Sequence, residues 1–261
     1  MKLEFETVVC TIEDHIATIT LNAPPFNLLG NPMLRDLIKL MGELESNKDV
    51  WCAILTGEGQ KAFCAGADVG ELTDPTVDEL QASDVWARNA ITRFSRLSFP
   101  VIAAINGFAL GGGLELALAC DIRLASQTAK VGLVETKIGL IAGWGGSQRL
   151  ARTVGVGAAK MMMFTAEKLT AEDALKIGLV QGVYEAEELM DGAMAIAKKI
   201  TSNSPVSNRL TKTAVNYFMN MGIAEGLDLE SDLDRAAYLS EDSIEGMKAF
   251  EERRPANFKN Q

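Results

Sequence analysis

Histidine is almost absent from this sequence. The 261 residues include a single histidine, His15. Catalytic sites of the Ser-His-Asp or Cys-His kind, and metal sites built on several histidines, would all have to use it. His15 follows Glu13 and Asp14 between two segments of alternating apolar residues, a pattern that predicts a β-hairpin. We therefore interpret His15 as a turn residue, and these classes of site are disfavoured.

Cysteine is also sparse, and long apolar runs are missing. Cys10, Cys52, Cys64 and Cys120 show no CxxC spacing and lie in apolar segments. We therefore expect free, buried thiols in a reducing cytoplasm. No run reaches the roughly 18 apolar residues that a membrane-spanning helix needs. The first residues resemble neither a signal peptide nor a transit peptide, so we expect a cytoplasmic protein without a membrane partner.

Positive charge is in short supply. The chain has 25 lysine and arginine residues against 35 aspartate and glutamate residues, a net charge of −10. A protein this acidic is a poor general ligand for nucleic acid or for an anionic membrane. The helix predicted over residues 32–48 carries charges of alternating sign. We therefore expect no nucleic-acid partner, and any anionic ligand must be bound by local donors.

Apolar residues, by contrast, are plentiful and divide the chain into two parts. They make up 48% of the sequence, enough for a large core. An order of strand, strand and helix recurs through residues 1–190, which we interpret as an α/β core that carries the active site. Residues 191–261 form a predicted helical subdomain that packs on the core or on a neighbouring subunit. Its helices, with the one leading into it, are expected near 187–201, 205–221, 224–239 and 243–252.

The segment 100–121 is central to the interpretation. Residues 101–105 read as a buried strand, Asn106 and Gly107 break it, and three glycines at 111–113 precede an apolar helix. Glycine lets a ligand approach bare backbone. The first N–H groups of a helix have no partner inside it and carry the positive end of the helix dipole. The segment therefore predicts a site for an oxygen that becomes negative.

Glu115 is the one ionisable residue between Ala104 and Cys120. The helix around it is apolar on nearly every side, so Glu115 should be buried. Burying a carboxylate costs on the order of several kcal/mol unless it is paired or used. Two interpretations stay open at this point: a core acid paired with Arg123, or a catalytic acid or base one turn from the oxyanion site.

Several motifs occur together in a characteristic order. They are KAFCAGAD at 61–68, PVIAAINGFALGGGLE at 100–115, Cys120 with Asp121, GWGGSQRL at 143–150, AEDALKIGLV at 171–180 and RRPANFK at 253–259. With these motifs the chain resembles the crotonase (enoyl-CoA hydratase/isomerase) superfamily over nearly its full length. The resemblance implies the ClpP/crotonase fold, a spiral of ββα units followed by a helical C-terminal subdomain. It also implies homotrimers, often paired into hexamers.

The resemblance assigns catalytic roles to four residues. The backbone N–H groups of Ala67 and Gly112 would form the oxyanion hole for the thioester carbonyl of an acyl-CoA. Glu115 would act as base on the water that attacks C3, and Glu135 would supply the proton to C2. The thioester itself supplies the acidity and the enolate, so neither a metal nor a redox cofactor is implied.

The resemblance also implies contacts with the CoA moiety. Five candidate residues, at positions 65–70, lie at or beside residues 69–78, which we expect to form a loop. The sixth candidate is a lysine near the C-terminus, which could reach a CoA phosphate in a neighbouring subunit. These candidates are Ala65, Ala67, Asp68, Val69, Gly70 and Lys259. Gly70 stands where hydratases often carry a lysine near the CoA phosphates. Ala142 replaces a common proline and Trp144 a smaller residue, so the size of the acyl pocket stays open.

The leading functional hypothesis is a 2-enoyl-CoA hydratase. A Δ3-Δ2-enoyl-CoA isomerase is the closest alternative, since it would need Glu135 but not Glu115. A ring-CoA hydratase or a CoA-thioester hydrolase also stays open. Some members of the superfamily bind RNA through a lysine-rich helix, but the matching helix here has mixed charge.

Overall fold

The computed structural model of the protein describes residues 1–72, 76–218 and 220–261. In this part of the chain the strands are β1 (Lys2–Glu4), β2 (Val8–Glu13), β3 (Ile16–Leu21), β4 (Cys52–Gly57), β5 (Ala62–Cys64), β6 (Val101–Ile105), β7 (Phe108–Leu110), β8 (Ile122–Ser126), β9 (Lys130–Gly132), β10 (Leu169–Thr170) and β11 (Gly182–Tyr184). The helices are α1 (Asn31–Ser46), α2 (Val77–Arg96), α3 (Gly112–Ala119), α4 (Gly146–Val154), α5 (Val156–Thr165), α6 (Ala171–Lys176), α7 (Leu189–Thr201), α8 (Pro205–Tyr217), α9 (Ile223–Tyr238) and α10 (Glu241–Glu252). Short 3-10 helices cover Val69–Leu72 and Glu135–Ile138.

The strands form two sheets that the chain visits alternately. The larger sheet has the order β1-β2-β3-β4-β6-β8-β11 and is parallel from β3 onward. The smaller sheet has the order β10-β9-β7-β5, with β5, β7 and β9 parallel. Each of β4, β6 and β8 in the large sheet is followed by one short strand in the small sheet and then by helix. This repeat of two strands and a helix confirms the predicted α/β spiral.

Alternating side chains explain why the large sheet is covered on both faces. Successive side chains of a strand point to opposite faces. Along β4, Ala53 and Leu55 pack in the main core with α1, α2 and α3. Cys52 and Ile54 pack in a second cluster with α7, whose contribution includes Ala193. Strands β4 and β6 are buried along their whole length because neither face of the sheet meets water there.

The local predictions hold better for long elements than for short ones. The hairpin of β2 and β3 turns through Asp14 and His15, whose φ angles are +49° and +65°, so the turn assignment of His15 is confirmed. The short strands β7 and β10 were not predicted, and β9 ends three residues before Glu135. Glu135 begins a 3-10 helix.

The structure also locates the loop predicted over 69–78 and the helix predicted over 205–221. The loop expected over 69–78 begins with a 3-10 helix, and its residues 73–75 lie outside the described part of the chain. The helix expected over 205–221 is α8, which ends at Tyr217, and residue 219 lies outside the described part. The proposed boundary near residue 190 stays a prediction, and α7, which spans it, packs on the large sheet.

Lys212 on α8 attaches the C-terminal helices to the core. Its Nζ donates to Asp121 Oδ2 at 2.7 Å and to the carbonyl oxygens of Phe99 at 2.9 Å and Phe94 at 3.4 Å. The same Asp121 oxygen accepts the backbone N–H of Val101 at 2.7 Å. The Lys212 side chain is only 7% exposed, and its three donors have three acceptors. The contact between α8 and the core is therefore a buried polar interaction in which each N–H donor of the Lys212 ammonium has an acceptor.

We predict that Lys212→Met destabilises the fold by about 2–3 kcal/mol, because it leaves the Asp121 carboxylate partly buried without its cation. Urea unfolding measures the change. The control is Lys176→Met, which breaks the exposed ion pair with Asp173 on α6 and should leave the free energy of unfolding nearly unchanged. Equal effects of the two substitutions would contradict this account of the joint.

Candidate active site

The smaller sheet brings two glycine-containing segments together. β5 and β7 are parallel neighbours, so the chain leaves both strands at the same edge of the sheet. Gly66, just after β5, has a φ of +112°, and a Cβ placed on it would lie 2.9 Å from the carbonyl oxygen of Leu110 and 3.7 Å from the nitrogen of Gly112. Ala67 and Gly112 therefore belong to segments in direct contact.

The N–H groups of Ala67 and Gly112 are available to a ligand. In the described residues, neither N–H donates to a backbone carbonyl or a side chain, whereas the neighbouring Gly111 donates to Gly132. Gly112 is the first residue of α3, where the helix dipole adds positive potential. Two unused donors in adjoining segments, one of them at a helix N-terminus, suit a developing oxyanion.

Close packing explains why glycine occupies the start of α3. A Cβ on Gly113 would lie 1.9 Å from the carbonyl oxygen of Cys64. A Cβ on Gly112 would lie 2.6 Å from Cζ3 of Trp144. The helix can therefore approach β5 on one side and the Trp144 ring on the other only without side chains at these positions.

Glu115 lies one turn into α3 and is 2% exposed. Its Oε1 accepts the backbone N–H of Gly146 at 2.7 Å and that of Trp144 at 2.8 Å. Burial raises the pKa of Glu115 to about 7, the Gly146 hydrogen bond opposes this rise, and the negative charge of Glu135 adds to it. A carboxyl group that titrates near neutrality can take up or release a proton at working pH.

Arginine side chains near Glu115 do not pair with it. Arg123 donates to the carbonyl oxygens of Leu179 and Cys120, each at 2.8 Å, so its guanidinium is engaged elsewhere and the interpretation as a Glu115–Arg123 core pair is not supported. Arg149, on α4, exerts the charge effect that lowers the pKa of Glu115. The carboxylate therefore depends mainly on backbone N–H donors.

The Glu135 carboxyl group also lies close to the start of α3. It is half-buried at the start of its 3-10 helix, and a Cβ on Gly111 would lie 3.1 Å from its Oε1. Burial raises its pKa. The Glu135 carboxyl group thus adjoins the glycine before the free N–H donor of Gly112, and Glu115 lies one turn further along the same helix. Two carboxyl groups in unlike surroundings suit an acid and a base acting on one substrate.

Three further residues of the site were not found by sequence reasoning. The Arg149 guanidinium donates to the carbonyl oxygen of Trp144 at 3.0 Å and to Thr92 Oγ1 at 3.1 Å. The Trp144 indole Nε1 donates to Asp84 Oδ1 at 3.1 Å. Arg149 lies within the motif at 143–150, which could have drawn attention to it. Nothing in the sequence placed Thr92 and Asp84 of α2 beside that motif.

The predicted CoA contacts divide into two places. Five of them follow β5 directly, close to the unused N–H group of Gly112, and are half-buried or exposed: Ala65, Ala67, Asp68, Val69 and Gly70. Asp68 Oδ1 accepts the N–H of Gly70 at 3.0 Å. Lys259 is exposed, and its backbone N–H donates to Asp242 Oδ1 on α10. Among the described residues, its contacts do not include the glutamates or the glycines of the site.

The described residues contain buried free thiols but no cluster suited to a metal ion and no helix that could span a membrane. The four cysteines are buried and free, as predicted, and burial raises the pKa of Cys64 and of Cys120 to about 12. Such thiols are poor nucleophiles. Over the described ranges no group of three or more His, Cys, Asp or Glu side chains could hold a metal ion. No helix there is long and apolar enough to span a bilayer.

Comparisons with known proteins extend over the whole chain. The family model described as enoyl-CoA hydratase/isomerase matches residues 11–261. The chain is 42% identical over 260 residues to a short-chain-enoyl-CoA hydratase of Clostridium acetobutylicum, covering 99% of this chain and 100% of the relative. It is 36% identical over 257 residues to a crotonyl-CoA hydratase of Syntrophomonas wolfei, covering 98% and 99%. The crystal structure of an enoyl-CoA hydratase from Bacillus anthracis matches with a TM-score of 0.95 at 36% identity, covering 98% of this chain and 100% of that one.

Burial of Glu115 predicts a pH-dependent stability. Its pKa rises from 4.5 to about 7 on folding, so the folded state holds the proton more tightly and stability falls as pH rises through that window. The loss amounts to about 3 kcal/mol above neutrality. Glu115→Gln keeps an acceptor for both N–H groups and removes the charge, so it should stabilise the protein at pH above about 8 and much less below about 5.

Thermal unfolding of the parent and Glu115→Gln at the two pH values measures this difference. The control is Glu43→Gln, an exposed glutamate on α1, which should show no such pH dependence. A stability difference between Glu115→Gln and the parent that is the same at both pH values would contradict a buried, proton-holding Glu115.

Proposed function

The chain belongs to the enoyl-CoA hydratase/isomerase family and is an enoyl-CoA hydratase, and we propose that Glu115 and Glu135 are its two catalytic carboxylates. The reaction adds water across the 2,3 double bond of a 2-enoyl-CoA thioester. One observation carries this assignment above the others: Glu135 Oε1 adjoins Gly111, and Glu115 lies one turn into α3, whose first N–H is unused, close enough for the charge of Glu135 to raise its pKa. A thioester bound there would meet an oxyanion site and two proton-transfer groups.

The N–H groups of Ala67 and Gly112 hold the thioester carbonyl oxygen in this proposal. Attack on C3 moves the electron pair of the double bond toward C2 and the carbonyl, so negative charge grows on that oxygen. Donors already fixed by the backbone need no reorganisation when the charge appears. Losing one such donor typically lowers the rate by about a hundred- to a thousandfold.

The two carboxyl groups share the proton transfers. Glu115 accepts a proton from the water as its oxygen bonds to C3, and Glu135 releases a proton to C2 as the enolate collapses to the thioester. The pair then holds its proton on Glu115 and resets by exchange with solvent. The negative charge of Glu135 raises the pKa of Glu115, which favours a state with one proton between them near neutral pH. The CoA thioester supplies the electron sink, so the scheme uses no metal or redox cofactor.

The CoA moiety is proposed to lie along the segment that follows β5. Ala65, Ala67, Asp68, Val69 and Gly70 leave the small sheet beside the oxyanion donors, which supports contacts with the part of CoA next to the thioester. With a net charge of −10, the protein offers no general attraction for the CoA phosphates. Lys259, exposed near the C-terminus, is proposed to supply a local cation in a neighbouring subunit.

The C-terminal helices support a homotrimer, or a hexamer of two trimers. Helix α9 has no buried residue in the single chain, although it carries Ile223 at 82% and Leu227 at 52% exposure. Leu239 follows it at 76%, and Phe250 on α10 is 86% exposed. An amphipathic helix whose apolar residues face water is stabilised by a partner surface. We propose that copies of this chain supply it.

Glutamine substitutions test the catalytic assignment. Glu115→Gln and Glu135→Gln should each lower kcat for hydration of crotonyl-CoA by about 10²–10⁴-fold, because each removes one proton transfer and keeps the side-chain shape. The double variant should lose little more, since the two groups act as a unit. Product formation is followed by loss of the enoyl absorbance and identified by mass.

A Δ3-Δ2 isomerisation assay separates the two roles. It moves one proton between C2 and C4 and adds no water, so Glu135 can perform it alone. Glu115→Gln should therefore lose hydration far more than any isomerisation, and Glu135→Gln should lose both. The exposed control Glu43→Gln should match the parent in both assays. Near-parent hydration by Glu115→Gln would overturn the two-carboxylate assignment and favour the isomerase alternative.

The assembly is tested by multi-angle light scattering at micromolar concentration. The parent should give the mass of a trimer or a hexamer. Phe250→Asp places a charge on the most exposed large apolar residue of α10 and should shift the distribution to smaller species. The matched control is Lys248→Asp on the same helix, which changes no apolar surface. A monomeric parent would contradict the proposal.

A further inference from the structure

Trp144 stands directly against the oxyanion glycine. A Cβ placed on Gly112 would lie 2.6 Å from Cζ3 and 2.8 Å from Cε3 of the indole, so the six-membered ring of Trp144 packs on the backbone of that residue. The ring is half-buried, at the boundary between the site and solvent. The backbone N–H of the same residue donates to Glu115 Oε1. One residue thus adjoins the oxyanion donor through its side chain and the catalytic base through its backbone.

Two hydrogen-bonded links hold this tryptophan against α2. The indole Nε1 donates to Asp84 Oδ1 at 3.1 Å. The carbonyl oxygen of Trp144 accepts from Arg149, whose other terminal nitrogen donates to Thr92 Oγ1. Asp84 and Thr92 lie about two turns apart on α2. Both the ring and the backbone of Trp144 are therefore tied to the same helix, which limits rotation of the ring away from Gly112.

The position of the substrate follows from the proposed function, on which this step rests. The thioester carbonyl lies at the N–H groups of Ala67 and Gly112, and C3 must come within reach of Glu115. The acyl carbons beyond C3 continue away from the thioester. They leave C3 beside Glu115, whose carboxylate accepts the Trp144 backbone N–H, and the Trp144 indole packs on Gly112, so a large side chain stands next to their inferred path.

We propose that Trp144 is a specificity-determining residue: its indole, held in place by Asp84, closes the end of the acyl pocket and restricts the enzyme to short 2-enoyl groups. A short acyl chain ends before the ring. A long chain has to displace the ring, which breaks the contact with Gly112 and the hydrogen bond to Asp84 together. Steric exclusion of this kind discriminates by about tenfold or more for each methylene that does not fit.

Replacement of the ring tests the proposal. Values of kcat/KM are measured for crotonyl-, hexenoyl-, octenoyl- and decenoyl-CoA. Trp144→Ala should raise the decenoyl-to-crotonyl ratio by about tenfold or more relative to the parent. Trp144→Phe keeps an aromatic ring over Gly112 and should change that ratio by less than about threefold. Both variants retain the backbone N–H that bonds Glu115, so the comparison isolates the side chain.

Asp84 provides a matched pair that tests the anchor. Asp84→Ala removes the acceptor of the indole N–H and should raise the same ratio by about threefold, a small effect because this hydrogen bond is open to solvent. Asp84→Asn keeps an acceptor oxygen and should preserve the parent's ratio. If Asp84→Ala also leaves the ratio unchanged, while Trp144→Ala raises it, the anchoring part of the proposal is wrong.

A binding measurement separates this proposal from the proposed function. Dissociation constants for the saturated butyryl-CoA and decanoyl-CoA are measured by calorimetry, which requires no hydration. If the parent enzyme shows no hydration activity, the proposed function is wrong. The ratio of the two dissociation constants would still measure the chain-length preference of the acyl pocket. If circular dichroism shows that Trp144→Ala is unfolded, Trp144→Leu replaces it. A folded variant with the parent's chain-length preference in both readouts would overturn the role of Trp144.

Discussion

The burial of the Glu115 carboxylate on two backbone N–H groups is the interaction on which the site depends. The helix α3 is apolar around it, and only 2% of the residue is exposed. Hydrogen bonds to a charged group are worth about 1.5–3 kcal/mol each, less than full desolvation of a carboxylate costs. The result is a pKa of about 7 rather than a firmly ionised acid. The fold thus tolerates a destabilising group because the loop before α4 and the first residue of that helix supply donors, and the resulting pKa gives a proton acceptor near neutral pH.

The small sheet explains how distant segments meet. Its strands β5, β7 and β9 are only three residues long, yet they are parallel neighbours, so the segments that follow them end at one edge. The first leads to Ala67, the second to Gly112 and the third to Glu135. Each sits within a few residues of its strand, which leaves little freedom in its position. The register of the short parallel strands, rather than long loops, therefore brings the N–H groups of Ala67 and Gly112 and the Glu135 carboxyl group to one edge of the sheet.

The sequence predicted the parts of this arrangement that depend on long patterns. Buried runs such as 101–105, the glycines before α3 and the lone charge at Glu115 identify a strand, a helix start and a buried carboxyl group from local patterns. Short strands such as β7 and β10 leave too few residues for a period to be read, so they were missed. Asp84 accepts from Trp144 and Thr92 accepts from Arg149, and these partners are 60 and 57 positions apart in the chain. No local pattern encodes such a tertiary contact.

Helix α3 is fixed at both ends, by different parts of the chain. At its N-terminal end, Glu115 is bonded to the start of α4, which Arg149 ties to α2. Just beyond its C-terminal end, Asp121 is bonded to Lys212 of α8. The Lys212 ammonium is enclosed by carbonyl and carboxylate oxygens, and releasing either partner alone would leave a buried charge unsatisfied. The C-terminal helices therefore stabilise the position of the helix that bears Glu115, in addition to carrying the apolar surface left uncovered in a single chain.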